Sequence, residues 1–285
     1  MELEKGISFF NVESIPELEV IQTLAEAIGK TANIALRVNP NIDAHTHHYI
    51  TTGLEENKFG LALQHLDDAI KRSLEMPNIN LIGLHFHIGS QITINRPFEL
   101  LCNKINELTE YYSSKGITFK TINVGGGLGI DYDNPDTHPI SDFKHYFNTF
   151  RKFLKLSEGQ QLHFELGRAV VAQCGSLITK VLYIKHGIDK QFAIVDAGMT
   201  ELIRPALYQA HHTIQNITSE HTNLEKYDIV GPICESSDCF GVDEILPTTT
   251  RGDLIAIRSA GAYGEIMASQ YNCRNLPKSV YSTII

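Results

Sequence analysis

Residues 119–129 read Phe-Lys-Thr-Ile-Asn-Val-Gly-Gly-Gly-Leu-Gly, a short β-rich run that gives way at once to three consecutive glycines. Residues without a Cβ let backbone N–H groups come close to an anion, and the loop after a strand is the ligand-bearing end of a parallel sheet. A tight turn is the plain alternative, because the stretch is neither a GxGxxG fingerprint nor a Walker loop. Outward from it, similar runs occur at Ile7 to Val12, Asn33 to Val38, Leu81 to Phe86 and Leu162 to Glu165. Between the runs, apolar residues recur at helical spacing from Leu63 to Leu74, from Phe98 to Leu108 and from Phe143 to Leu156. Ser14-Ile15-Pro16-Glu17 has the form of a capping box and opens a helix towards Gly29. The alternation predicts βα units around a parallel sheet. Five such strands fall short of the eight of a closed barrel, so the sheet is open or three units are missing.

After Arg168 the pattern changes. Ser176 to Ile184, Phe192 to Val195, His212 to Ile217, Tyr227 to Val230 and Leu254 to Ile257 are short β-type runs separated by turns. They predict a mostly antiparallel β domain over residues 171–285 behind an α/β domain over residues 1–170, with a closing helix after Gly261.

Composition bounds what such a chain does. The 285 residues, 42% apolar and 20% charged, exclude a disordered or fibrous protein. A net charge of −9 without a long Lys/Arg run argues against nucleic acid or an anionic membrane as the main partner and favours a small polar substrate. The five cysteines are scattered and form no C-x2-C pair, so neither a disulfide framework nor a zinc knuckle is expected. No signal-peptide pattern or long apolar segment occurs, and a cytoplasmic setting is the expectation.

Several groups could carry chemistry. His85 and His87 stand two apart on a predicted strand and share a face, before Ile88-Gly89-Ser90-Gln91. They suit a catalytic metal, or one imidazole stacked on a flat cofactor while Ser90 donates to its phosphate; two inert, hydrogen-bonded rings are the third option. His45, His47 and His48 follow a turn and read as a solvated loop, and His211, His212 and His221 as ordinary polar positions. Glu165 ends a predicted strand with Gly167 and Arg168 just beyond, either pairing with Arg168 or holding a cationic ring nitrogen while glycine and arginine face an anion. Cys234-Glu235-Ser236-Ser237-Asp238 sets a thiol beside carboxylates, which suits proton donation better than nucleophilic attack, although from this motif alone a buried inert cysteine is the first expectation.

Taken in order, these motifs form a recognisable series. They run from Phe10-Asn11-Val12-Glu13-Ser14 and Arg37-Val38-Asn39-Pro40, through Gly53 and Lys58-Phe59-Gly60, to Gly83-Leu84-His85-Phe86-His87-Ile88-Gly89-Ser90-Gln91 and the triple glycine. Glu165 to Arg168, Leu202-Ile203-Arg204-Pro205-Ala206-Leu207-Tyr208, Cys234 to Asp238 and Gly261-Ala262-Tyr263-Gly264 complete the series. The chain resembles the diaminopimelate decarboxylases, in the fold-III family of pyridoxal-phosphate (PLP) decarboxylases that also contains ornithine and arginine decarboxylases. The resemblance implies the last five or so βα units of a (β/α)8 TIM barrel followed by the β domain. It implies a homodimeric enzyme, with active sites at the interface, that converts meso-2,6-diaminopimelate to L-lysine and CO2, the last step of lysine biosynthesis. On the same basis His87 stacks on the PLP ring, Ser90, Gly125, Gly126, Gly127, Gly167, Arg168 and Tyr263 surround its phosphate, and Glu165 pairs with the ring nitrogen. Arg204 and Tyr208, with Arg168 and Tyr263 nearby, hold the substrate and its distal carboxylate, while Glu235, with Cys234 supplied across the dimer interface, meets the distal amino group and returns the proton.

Two departures from the family pattern stand out. Leu166 replaces a usual proline, and the Tyr-x-x-Lys-Ala-Asn type segment, whose lysine tethers the cofactor, does not occur. The expectation is therefore a fragment of a decarboxylase, or one half of a split enzyme working with a separate N-terminal piece. A catalytically silent PLP-binding or other ligand-binding relative is one alternative. A metal-dependent TIM-barrel hydrolase using His85 and His87 is another.

Overall fold

The alternation read from the first half is present, with shifted ends. α1 (Glu2–Lys5) precedes β1 (Phe10–Val12), α2 (Ile15–Ala27), β2 (Ala32–Asn39), β3 (Leu61–Ala62), α3 (Leu63–Glu75) and β4 (Ile79–His85). α4 (Arg96–Ser114), β5 (Thr121–Asn123), α5 (Phe143–Phe153) and β6 (Gln161–His163) follow. The computed structural model describes residues 2–43 and 58–282, so His45, His47, His48 and Gly53 lie outside the described residues. The strands pair in parallel in the order β1-β2-β4-β5-β6, with β3 against the end of β2. Pairing starts only at Phe10, not at Ile7, which is exposed.

Local chemistry explains the helices. Ser14 Oγ accepts from the Glu17 N–H at 3.3 Å, and the Glu17 carboxylate accepts from Glu13 N–H at 2.6 Å. The capping box thus closes one residue earlier than its usual form, and Pro16 sits in the first turn, where its missing N–H costs nothing. α3 buries Leu66, Ala69, Ile70 and Ser73, a single stripe at helical spacing. α5 turns Tyr146 and Phe150 against Phe98 and Phe164, with ring centroids 4.9–6.1 Å apart. Such aromatic pairs add about 0.5–1.5 kcal/mol each beyond their buried area, which fixes α4 against α5 and α5 against Phe164, just after β6.

The second unit holds α6 (Arg168–Val171), β7 (Leu177–His186), β8 (Gln191–Val195), α7 (Arg204–Tyr208), β9 (Ile214–Asn216), β10 (Leu224–Val230), β11 (Cys239–Pro247) and β12 (Leu254–Ile257). Its sheet runs β11-β10-β8-β7-β12-β9, antiparallel except where β8 meets β10. Val181, Val195, Leu202, Tyr227, Ile229, Phe240, Ile255 and Ile257 form its core.

Three expectations change here. β11 was not foreseen: its buried positions do not alternate, and the β10–β11 pairing shifts register near Gly241 and Asp243, so a period of two is not visible in its sequence. No helix closes the chain after Gly261 among the described residues; Glu265–Met267 and Tyr271–Cys273 form single 3-10 turns. The run expected from His212 pairs only from Ile214.

The chain divides into Met1–Gly129 with Asp142–Leu166, and Ile130–Ser141 with Gly167–Ile285. Residues 130–141 thus belong with the second unit, whereas the sequence places them inside the first. Thr213 Oγ1 donates to the Tyr132 carbonyl (2.7 Å), and Arg258 pairs with Asp136 (2.9 Å), which accounts for the placement.

Candidate active site

In the first unit the register sets Arg37, His85, Asn123 and His163 in one row across β2, β4, β5 and β6. Paired positions of a parallel sheet project to the same face, so this row is polar where a packed sheet interior would be apolar. Just beyond the row, Glu165 Oε1 accepts from the side-chain amides of Asn123 (2.8 Å) and Asn11 (3.1 Å). His85 Nε2 lies 3.3 Å from Oε2, a charge contact that falls short of hydrogen-bond geometry, and the buried His85 ring has no hydrogen-bond partner among the described residues. The His85 imidazole first, then the two asparagine amides, hold the Glu165 carboxyl down to about 2 against the burial that pushes it up. Glu165 is a firm anion whose side chain stays 46% exposed.

His87 follows β4 and accepts from the Gly126 N–H at Nδ1 (3.2 Å), which leaves its proton on Nε2. Burial, helped by Arg37 and His85, lowers its pKa to about 4, so the ring is flat and neutral. The Gly125 N–H donates to Asn123 Oδ1 (2.9 Å). A Cβ on Gly125, Gly126 or Gly127 would stand 2.3, 2.3 or 2.6 Å from a backbone oxygen of Phe86, Glu165 or Gly89. The triple glycine is therefore required first by close approach of neighbouring backbone. Ile92 N–H bonds to the Gly127 carbonyl (2.9 Å), tying the loop that carries half-buried Ser90 to the glycines.

The second unit gathers positive charge. Arg168 opens α6, is buried, donates to Tyr132 Oη (2.6 Å) and lies 4.9 Å from the Tyr263 ring centroid. Tyr263 holds φ +62°, an uncommon conformation for a bulky residue and a mark of a constrained turn. Arg204, 5% exposed, lies 4.7 Å from the Tyr132 ring centroid and donates to His212 Nε2 at 2.7 Å. It makes no carboxylate ion pair among the described residues, its Nε has no partner, and burial lowers its pKa. Tyr208, four residues on, shares its face of α7.

The Cys234–Asp238 loop is built around Asp238, not around its thiol. The buried Asp238 carboxylate accepts from Met199 N–H and Ile233 N–H, both at 2.6 Å, and burial raises its pKa. Cys234 and Glu235 face outward, with Glu235 accepting from Tyr271 Oη (2.8 Å). No group of three metal-ligating side chains occurs among the described residues, so His85 and His87 have no third ligand there.

Residues 1–172 match the family model for the pyridoxal-binding domain of pyridoxal-dependent decarboxylases. The chain is 62% identical over 280 residues to a diaminopimelate decarboxylase of Bacteroides thetaiotaomicron, covering 98% of this chain and 72% of that protein. The chain belongs to the diaminopimelate decarboxylase family. The corresponding enzyme of Neisseria meningitidis serogroup A is 42% identical over 96% of the chain and 66% of its own length. The crystal structure of the Helicobacter pylori diaminopimelate decarboxylase complexed with L-lysine superposes with a TM-score of 0.84 at 41% identity, over 95% of this chain and 66% of that one. The chain thus spans about two thirds of the length of most relatives it matches.

The residues present fit the cofactor of this family. A half-exposed, ionised carboxylate suits a ring nitrogen that must keep a proton, and a neutral imidazole offers a flat face without competing charge. The structure brings His87, Gly126 and Glu165 together in the first unit, and Arg168, Tyr263 and Arg204 around Tyr132 in the second. Glu165 takes Asn11, Asn123 and His85 as partners, and His212, read as an ordinary polar position, is wholly buried against Arg204. Sequence reasoning gives Asn11, Asn123 and Tyr132 no role; the place of Asn123 at the end of β5, just ahead of the glycine run, is an available signal, and Asn11 and Tyr132 have none.

Proposed function

We propose that the chain carries the binding machinery of an enzyme that decarboxylates meso-2,6-diaminopimelate to L-lysine and CO2 with PLP. The observation that carries this reading is Arg204. A buried guanidinium held by neutral groups is costly to the fold and has a use when a ligand supplies the missing carboxylate. Ornithine has no second carboxylate to offer, whereas diaminopimelate does. Bidentate geometry makes arginine the natural receptor for it, with Tyr208 beside it.

When bound, the PLP ring serves as the sink for the electron pair left by departing CO2. Glu165 would keep a proton on the ring nitrogen, and His87 would offer its flat face to the ring. Ser90, Gly125, Gly126 and Gly127 of the first unit would take the phosphate, and within the second unit Gly167, Arg168 and Tyr263 form a group suited to an anion. Glu235 binds the substrate's distal amino group, and Cys234, exposed beside it, delivers the returning proton, an arrangement suited to a homodimer in which this loop serves the partner's site. A cytoplasmic setting agrees with this chemistry.

β1, β2, β4, β5 and β6 are, on this reading, five strands of a (β/α)8 barrel spanning residues 1–170, followed by the β domain of residues 171–285. All five pair in parallel, and β1 and β6 each have one partner in the strand order, which supports it. The test is to purify the chain with PLP and measure visible absorbance and lysine production, alone and with a supplied segment of the Tyr-x-x-Lys-Ala-Asn type. PLP capture with lysine formation in the supplemented sample is expected. Failure of the supplemented sample to make lysine counts against the decarboxylase reading, and full turnover without the segment counts against a requirement for the tethering lysine.

A further inference from the structure

Arg204 needs a partner that orients its guanidinium without neutralising it, and His212 has the required geometry. His212 is fully buried, with Nε2 2.7 Å from Arg204 NH1 and Nδ1 2.8 Å from the Arg258 carbonyl. An arginine only donates and a carbonyl only accepts, so the tautomer is fixed: Nδ1 carries the proton and Nε2 the lone pair. The ring also packs edge-on to Tyr132, 5.1 Å between centroids. Arg204, Arg168 and His211 are the charged or titratable side chains that act on it, and Tyr132 and the Arg258 carbonyl complete its surroundings.

We propose that His212 is a positioning residue that aims Arg204 at an external carboxylate by accepting one of its N–H bonds while bringing no opposing charge. A carboxylate at this place would anchor the guanidinium equally well but would satisfy its charge inside the protein. An apolar side chain would leave the charge available and let the fork rotate. The neutral acceptor does neither, which makes His212 a determinant of selectivity for ligands with a carboxylate. This inference rests on the reading of Arg204 given above.

The test uses the 285-residue chain without cofactor and two probes, L-lysine and pentane-1,5-diamine, the same molecule lacking the carboxylate. Affinities are read by NMR titration for the wild type, His212→Gln, His212→Met and His212→Glu, each first checked for folding by circular dichroism. Gln places an acceptor oxygen near the Nε2 position, Met fills the space without one, and Glu adds the charge. L-Lysine affinity within about threefold of wild type for His212→Gln, about tenfold weaker for His212→Met and weakest for His212→Glu is the expected order. Diamine affinity should be flat or should rise in His212→Glu. Equal losses for Gln and Met, or parallel losses for both probes, overturn the positioning role, because burial alone then explains the residue. Should His212→Met not fold, the Gln and Glu variants, matched in length and polarity, decide the matter. A wild type that binds L-lysine no better than the diamine overturns the carboxylate reading of Arg204 itself.

Discussion

Glu165 and Arg204 carry opposite charges, sit in different units, and are held by the same kind of neighbour. Two asparagine amides and the edge of an imidazole surround the carboxylate, and a tyrosine ring and an imidazole lone pair surround the guanidinium. Neither is matched by a counter-charge in direct ion-pair contact, apart from a histidine beside the carboxylate. In each unit burial drives one histidine to a pKa of about 4, so that it contributes shape and a lone pair but no charge. The difference lies in exposure. Glu165 is half open and inexpensive to keep ionised, whereas Arg204 is buried and costly to keep charged. On the proposed reading, each charge is kept for a ligand and held with dipoles.

The two clusters also differ in how tightly their glycines are packed, and this contrast should give the largest effects. A Cβ on Gly126 would meet the Glu165 backbone oxygen at 2.3 Å, whereas one on Gly167 meets only Tyr263 Oη at 3.9 Å. Urea unfolding followed by circular dichroism should show Gly126→Ala destabilised by about 3 kcal/mol. Gly167→Ala should stay within about 0.5 kcal/mol of wild type under the same conditions. Similar values for the two would mean the first-unit loop yields more readily than its packing implies.

Acid tests whether the two histidines really are alike. Each has its folded-state pKa lowered from 6.5 to about 4. Above pH 6.5 both are neutral folded or unfolded, and no penalty exists. Between pH 6.5 and 4 the unfolded chain takes up protons that the folded chain refuses, so stability falls as pH falls. The loss through His212, which is fully buried, should approach about 3 kcal/mol by pH 4, with a smaller loss through the partly exposed His87. Chemical denaturation at pH 7, 5.5 and 4.5 reads this slope, and His212→Gln should flatten it by more than half. A slope unaffected by that substitution would assign the acid sensitivity to other groups.

Tyr132→Phe should show how far the second cluster depends on its aromatic centre. The lost bond to the charged Arg168 predicts about 2 kcal/mol of destabilisation at pH 7, with the ring contact to Arg204 kept. The smallest effect belongs to Glu165→Gln. The half-exposed carboxylate gives up only part of its hydrogen bonding, and thermal unfolding should change by less than about 1 kcal/mol. A much larger loss would show that the anion serves the fold as well as the ligand.

The legibility of the two regions in the sequence differed for the same physical reasons. β2 was readable as a short apolar run buried on both faces, and α3 and α4 because each buries one face, which imposes a period on the chain. β11 was not, since its register shift and its charged edge residues break that period. Glu165 and the two histidines near it could be singled out from strand ends alone, but the asparagine partners of Glu165 come from strands more than forty residues away. Arg168 stands three residues from Glu165, and a pair seemed natural there, yet the division between units falls between them at residues 166 and 167. Tyr132 looks like a loop residue in any local window and His212 like the polar start of a short β run; they gain their roles only when residues 130–141 join the β unit.

That looping segment has a genetic and proteolytic consequence. The polypeptide passes from one unit to the other three times, after Gly129, Ser141 and Leu166. No single peptide-bond cleavage therefore yields the units as separate polypeptides, and no contiguous cassette encodes either one. A protease nick at Ser141 would leave α5 and β6 covalently tied to the β unit while still paired with the parent sheet. Recombination at a single crossover would carry part of one unit along with the other.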